Sequence, residues 1–380
     1  MGTEAVRSNK KDYAFSLREV DPWIMVAVVV LTAIGLVMVF SASSSLADKR
    51  YADSAYFLKR QAMHLGVGVL VMLALARLDY GRLHKMTYPI LVGTVVALLL
   101  VFIPVVGHKA GGAYRWVNLL FIRLQPGELA KLALVFYLAY SLSSHQDQVK
   151  SFSRGFFPNI AVACVLTFLV VLEPDLGTAV TLMALASIVL FVAGTRFTYL
   201  GAMGLLALPV LGLLLFKVNW RLERMLTFLN PWADPKGTGW QIIHSFLALG
   251  SGGFTGAGLS ASKQKLFYLP EPHTDFIFSV LGEELGFWGV SLVLGLFMVV
   301  IWRGIKTALE ARDLFGTYLA LGCTLVIGLQ AFVNVAVVMG LLPTKGLTLP
   351  FISYGGSSLL VNLACVGLLL SVASHKGKRA

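Results

Sequence analysis

Charge is what this chain has least of. Only 13% of its 380 residues are charged and 57% are hydrophobic, where a soluble domain carries roughly a quarter charged. A water-soluble globular fold is thereby excluded. Cysteine is scarcer still. Cys164, Cys323 and Cys365 all fall inside apolar runs, which excludes a disulfide framework and a cysteine metal site and leaves them as small core residues. There is no Walker loop, no zinc spacing and no Ser-His-Asp order. No internal repeat marks a solenoid or a two-fold carrier. The short alternating segments of a membrane β-barrel are missing. The first apolar run, Trp23 to Phe40, is too long for a cleavable signal peptide and follows polar residues 1–22, so it reads as an anchor that orients the chain.

What is present is apolar sequence in long runs. Ten of them are long enough to cross a bilayer: 23–45, 57–76, 87–106, 127–144, 156–172, 175–193, 197–216, 276–302, 315–341 and 356–374. The expected fold is an all-α polytopic membrane protein of about ten transmembrane helices, spanning 23–374 between cytoplasmic tails at 1–22 and 375–380. A large extracytoplasmic loop, about 217–275, separates helices 7 and 8. The net charge of +12 does not imply nucleic acid, because the basic residues sit at run ends and form no compact domain. Membrane headgroups and an anionic lipid substrate account for them. With both termini inside, inward segments hold 16 Lys/Arg and outward ones 15, but six of the latter lie in the long loop. Long loops count little in the positive-inside rule, and without this one the balance is 16 to 9 in favour of cytoplasmic termini.

The long loop carries Trp220, Trp232 and Trp240, suited to the membrane interface, and a short helix is expected over 240–249. A glycine-rich stretch, Gly250 to Gly258, follows and suits movement or close approach to a ligand. The other polar, aromatic outward loops are 107–126 and 342–356.

Five polar constellations stand out. Glu271-Pro272-His273-Thr274-Asp275 places two carboxylates and an imidazole just before an apolar run. Asp275 is a candidate general base or a hard-oxygen ligand for a divalent cation. His273 is the alternative base, and a helix cap by Thr274 or Asp275 is the structural alternative. A carboxylate at a helix start is stabilised in its charged form, which weakens a base. Arg123, Gln125, Glu128 and Lys131 lie at a helix entrance opened by Pro126; Glu128 and Lys131 read either as a structural brace or, with Arg123, as a cationic cradle for pyrophosphate. Glu173-Pro174-Asp175 is either a wet turn or a site. Lys345 and the run Phe351 to Ser358, including Ser353, offer hydroxyls for sugar or phosphate, or a turn packed on protein. Arg221, Glu223 and Arg224 form a basic face. Glu283 and Glu284 lie deeper and require partners.

The motifs LPEPHTDFIFSVLGEELGFWG (269–289), AYRWVNL (113–119), RLQPGELAKL (123–132), EPDLGTA (173–179) and LPFISYGGSSL (349–359) occur in one chain and in this order. Together they resemble the SEDS family of shape, elongation, division and sporulation proteins, over essentially the whole length. GLVMVFSASS (35–44) and PTKGLTLPFISYGGSSL (343–359) are similar to its cell-division branch, with the elongation branch the alternative. The resemblance implies a peptidoglycan glycosyltransferase that polymerises lipid II on the outer face of the cytoplasmic membrane. It implies Asp275 as the essential carboxylate. Trp116, Arg123, Gln125, Glu128, Lys131 and Asp175 match the family's functional positions, with His273, Lys345 and Ser353 as further substrate contacts. It implies as partners a class B penicillin-binding protein, the transpeptidase, and other divisome membrane proteins at the septum. No cofactor follows from it with certainty; a divalent cation such as magnesium or manganese is compatible. Transport of lipid II across the membrane, and a scaffold role, are the competing classes.

Overall fold

The computed structural model describes residues 21–103, 107–110, 113–119, 122–216, 219–265, 269 and 271–375. Most of the expected N-terminal tail, the end of the C-terminal tail at 376–380, and Pro270 in the 269–289 motif lie outside the described residues.

The helices are α1 (Pro22–Tyr51), α2 (Tyr56–Arg77), α3 (Tyr80–Leu83), α4 (Thr87–Leu100), α5 (Pro126–Ser144), α6 (Phe157–Leu172), α7 (Leu176–Val192), α8 (Phe197–Phe216), α9 (Asn219–Leu229), α10 (Trp240–Gly252), α11 (Ile277–Leu309), α12 (Leu314–Val338) and α13 (Gly356–Ser374). Seven helical stretches among the described residues are long and apolar enough to cross a membrane, with α3 and α4 joined as one, Tyr80–Leu100. Leu176–Val192 and Phe197–Val210 are apolar but shorter. The expected runs at 127–144, 175–193 and 197–216 are helical throughout most of their length, as α5, α7 and α8.

The chain is not wholly helical. Between α4 and α5 lies a three-stranded antiparallel sheet in the order β1 (Gly107–Ala110), β2 (Ala113–Leu119), β3 (Ile122–Leu124). Its register pairs Asn118 with Arg123 and Val117 with Leu124. The expected polar, aromatic loop at 107–126 is thus built around a small sheet. Strands of three to seven residues are too short for their alternation to stand out from sequence.

α13 is central: 89% of its apolar window is buried, against 17% for Tyr80–Leu100 and 22% for α2. Around it pack α2, α5 and α12, while α11 packs between α1 and α12. α8 is peripheral; Leu205, Leu206 and Leu208 on it are all exposed, as suits a helix whose solvent is lipid. α1 begins cleanly. Asp21 accepts from the Trp23 and Ile24 amides, Pro22 occupies the first turn, and the Arg303 guanidinium on α11 pairs with Asp21 at 2.8 Å through Nε.

α11 runs past the expected end at 302 and is broken inside. Gly286 has φ 63°, ψ −161°, off the helical path. A break orphans backbone groups, and in an apolar helix these need partners. The glycine-rich stretch supplies them: the Ala257 and Gly258 amides donate to Glu283 O and Glu284 O, and Gly253 O and Phe254 O accept from the Phe287 and Trp288 amides. The 250–258 stretch therefore approaches the protein's own backbone, where it splints the break. Gly282 and Gly286 face inward on Leu249 and Gly256. A Cβ at Gly286 would collide with the Gly256 amide nitrogen and would hold an L residue at positive φ. Gly286→Ala is expected to destabilise the protein by about 1–3 kcal/mol or more, read as a lowered unfolding midpoint in detergent.

Candidate active site

A cavity of about 1120 Å³ opens above α13 and is walled by segments distant in sequence. The ends of α1 and α2 give Arg50, Arg60 and His64; β2 gives Arg115 and Trp116; the β3–α5 junction gives Arg123, Gln125 and Glu128. The loop before α11 gives Glu271, His273 and Asp275, and the 346–348 and 354–358 segments close the far wall. Four arginines thus share one concave surface with the carboxylates of Glu128, Glu271 and Asp275, and clustered guanidiniums are the usual partners of anions.

The β3–α5 junction is tied down from two sides. The Gln125 amide donates to Ser357 Oγ at 2.9 Å, and that hydroxyl donates to Arg123 O at 3.1 Å. Gln125 Nε2 donates to Asp175 Oδ2 at 3.2 Å. Asp175 caps α7, accepting from the Thr178 amide and hydroxyl at 3.1 and 2.9 Å. Arg115 is pinned by its Nε and Nη2 to the carbonyls of Glu173 and Pro174, so its remaining N–H groups stay available on the cavity wall. Glu173 is buried beside Asp175, and burial first, then that charge, pushes its carboxyl up to about 8 against the pull of Arg115. It is protonated at neutral pH.

Below the wall runs a buried polar seam. Lys131 is wholly buried, pairs with Glu128 at 2.8 Å and donates to Gln330 Oε1 at 2.8 Å. Gln330 Nε2 in turn donates to Ser358 Oγ and to Thr348. The seam joins α5, α12 and α13.

The segment carrying Asp275 is strapped by its backbone. Tyr354 N donates to His273 O at 2.9 Å, Ser353 Oγ to Thr274 O at 2.6 Å, and Asn334 Nδ2 to Asp275 O at 2.9 Å. Neither Thr274 nor Asp275 caps the helix. α11 starts after Phe276 with no side-chain cap, and Thr274 Oγ1 donates to Glu271 O instead. The helix-cap alternative falls, because the turn consumes the hydroxyl and leaves the Asp275 carboxylate facing the cavity. Burial, then the nearby Glu271 carboxylate, pushes Asp275 up to about 7, against the opposing pull of Arg224. His273 is buried against the Phe57 ring, 4.4 Å away, and burial drives it down to about 4. It is neutral at physiological pH and a far weaker base than Asp275.

Asp275, Trp116, Arg123, Gln125, Glu128 and His273 therefore share one cavity. Lys131, Asp175, Lys345 and Ser353 do not line it; Lys131, Asp175 and Ser353 are buried behind its wall, Ser353 as a clip that also accepts from the Leu349 amide. Burial lowers Lys345, with Asp175 opposing. The Arg221 side chain lies outside the described residues. Sequence reading missed Arg50, Arg60, His64 and Arg115. Arg50 and Arg60 sit at span ends, where a charge reads as headgroup contact. Arg115 did carry a signal, since it precedes Trp116 in AYRWVNL.

A lipid-embedded helical bundle with a basic cavity and one near-neutral carboxylate defines an integral membrane protein built to handle an anionic amphiphile. The FtsW/RodA/SpoVE family, described as cell cycle protein, matches residues 22–378, and the chain belongs to it. A probable peptidoglycan glycosyltransferase FtsW from Geobacter sulfurreducens is 50% identical over 93% of this chain and 95% of that protein. Among solved structures, a chain from a peptidoglycan synthase complex that coordinates polymerization and crosslinking aligns with a TM-score of 0.76 and 32% identity, over 93% of this chain and 97% of its own. The rod shape determining protein RodA of Thermus thermophilus aligns with a TM-score of 0.70 and 30% identity, over 94% of this chain and 98% of its own.

Two stability predictions follow from the site. Asp275 titrates near 7 folded against an ordinary value of 3.8, so its contribution is fully present at low pH and lost as pH rises through 7. Asp275→Asn should therefore match the wild type in unfolding midpoint below about pH 4 and exceed it progressively up to about pH 7. Lys131→Met should destabilise by about 3–5 kcal/mol by stranding Glu128, and Lys131→Met with Glu128→Gln should recover most of that loss; both are read by thermal unfolding.

Proposed function

We propose that this protein is a peptidoglycan glycosyltransferase that polymerises lipid II into β-1,4-linked glycan strands during septal wall synthesis in cell division. The observation that carries the reading is a carboxyl raised to about 7 on the wall of a cavity that also presents four arginines. One group is poised to take a proton and the others to hold a pyrophosphate. Division is preferred to elongation because the FtsW relative is 50% identical and the RodA structure 30%.

In the proposed reaction the free 4-hydroxyl of the acceptor sugar attacks the anomeric carbon of a second, undecaprenyl-pyrophosphate-linked saccharide. Asp275 accepts the hydroxyl proton. The carbon–oxygen bond to pyrophosphate breaks as the new one forms, and in-line attack inverts an α-linked donor to a β bond. A base whose pKa lies near working pH is the most effective one. The leaving group departs as an anion, so it needs positive charge rather than a strong acid. Arg123 and Arg115 supply it, with Arg50 and Arg60 across the cavity, and one well-placed charge contact is worth ~3 kcal/mol of barrier. Trp116 and Gln125 line the same wall and suit saccharide contact. Lys131, Asp175 and Ser353 act on substrate only through Glu128, Gln125 and the Asp275 turn.

Among the described residues, no three His, Cys, Asp or Glu side chains gather to hold a metal by themselves. Asp275 and Glu271 fit a divalent cation that is shared with substrate phosphates, the usual habit of magnesium; such an ion would add charge neutralisation at the pyrophosphate.

The bilayer placement belongs to the same reading. Ten crossings, cytoplasmic tails at 1–22 and 375–380, and the 217–275 loop outside put the cavity at the outer face, where lipid II is polymerised. The partners we propose are a class B penicillin-binding protein, whose crosslinking follows polymerisation, and other divisome membrane proteins.

Purified protein given lipid II, with and without its transpeptidase partner, tests the reading. Asp275→Asn should remain folded and lose ~10²–10⁴-fold in glycan synthesis, and the wild-type rate should fall as pH drops below about 7. Near-normal synthesis by the Asn variant would show that Asp275 is not the base.

A further inference from the structure

Two carboxylates on α11 have no place in the reaction above, yet both are buried and fully engaged. Glu284 is 1% exposed; its Oε1 pairs with Lys265 Nζ at 2.8 Å, and both oxygens accept from Ser41 Oγ at 2.7 Å. Lys265 Nζ also donates to Ser41 Oγ at 2.9 Å, closing a triangle between α1, α11 and the outer loop. Glu283, one residue earlier, accepts from the Ser262 hydroxyl and from the Lys263 amide at 2.9 Å. The stretch 262–265 is therefore held by side chains to the same helical segment whose other end carries Asp275.

That segment is a discrete piece. It runs from Ile277 to Leu285, bounded below by the break at Gly286, where the 253–258 splint replaces the helical ladder. The 262–265 stretch is thus tied to Glu283 and Glu284, while Asp275 leads into the same segment about two turns away. α1 grips α11 on both sides of the break, through Ser41 above and through Asp21 to Arg303 below. Among the described residues, no other ion pair ties the short segment to the bundle.

We propose that Lys265, Glu284 and Ser41 are positioning residues that lock the Ile277–Leu285 segment and the 262–265 stretch as one block, and so hold the Asp275 carboxylate in place on the cavity wall. The proposal rests on Asp275 being the base. A salt bridge of this kind is a costly way to gain stability, since a buried pair replaced by apolar groups of similar volume leaves folding unchanged or improved. Its value lies in fixing one geometry. A displacement of about 1 Å in a reacting group costs on the order of 100-fold in rate.

The test uses the full chain with its transpeptidase partner and the paired variant Lys265→Met with Glu284→Met, which strands no charge. Thermal unfolding should stay near wild type. Glycan synthesis should fall on the order of 100-fold in kcat with KM for lipid II changed far less. Lys265→Arg, which can keep the pair, should hold most of the wild-type rate. Asp275→Asn is measured alongside. A paired variant with wild-type kcat overturns the proposal, as does a Lys265→Arg variant that loses as much rate as the paired one. If the paired variant loses rate while Asp275→Asn still synthesises glycan, the lock stands and the base assignment falls instead.

Discussion

A polar group inside an apolar bundle must find its partner within the protein, and the break in α11 is where this constraint shapes the molecule. Opening one turn of helix at Gly286 exposes two carbonyls and two amides. The outer loop repairs all four with its own backbone, from Gly253 to Gly258. That repair brings the loop down onto α11, and only then can Lys265 reach Glu284 and Ser262 reach Glu283. The short upper segment, the loop and the cavity wall are consequences of one interrupted ladder. A continuous helix would have left the loop without an anchor and Asp275 at the end of a rod.

The same logic operates in the Lys131 seam. Lys131 is wholly buried, so Glu128 and Gln330 solvate it, and Gln330 passes the connection to Ser358 and Thr348. The seam couples the cavity floor to three helices. Glu128 reaches the cavity while its partner stays behind it. The brace and cradle readings of this pair are thus compatible at Glu128, but Lys131 itself is turned into the protein.

How much of this could be read from sequence depended on period and length. Apolar runs the length of a bilayer are unmistakable, and the helices fall on them. The kink was not legible, because Gly286 sits in an otherwise unbroken apolar pattern, and a glycine there reads as packing. The sheet was not legible because its strands are shorter than the window over which alternation is judged. The glycine stretch was legible as an invitation to close approach, but sequence cannot say whether ligand or backbone accepts it. For the site, the ionisable cluster at 271–275 advertised itself by cost alone. Arg50 and Arg60 did not, since a cation at a span end has an ordinary explanation in the headgroups.

The helix-start objection to Asp275 as a base is answered by geometry. A carboxylate bonded to helix amides is held as an anion and loses basicity. Here the Thr274 hydroxyl is spent on Glu271 O, the helix begins one residue later, and Asp275 accepts no cap bond. Burial then acts on the carboxyl unopposed by amides, with Glu271 adding to it and Arg224 subtracting. On the proposed reading, substrate completes the arrangement. A pyrophosphate bound among Arg115, Arg123 and their neighbours adds negative charge and offsets the arginines that now hold the carboxyl down. Asp275 becomes a stronger base when the donor is seated, and the base is strongest in the complex that needs it.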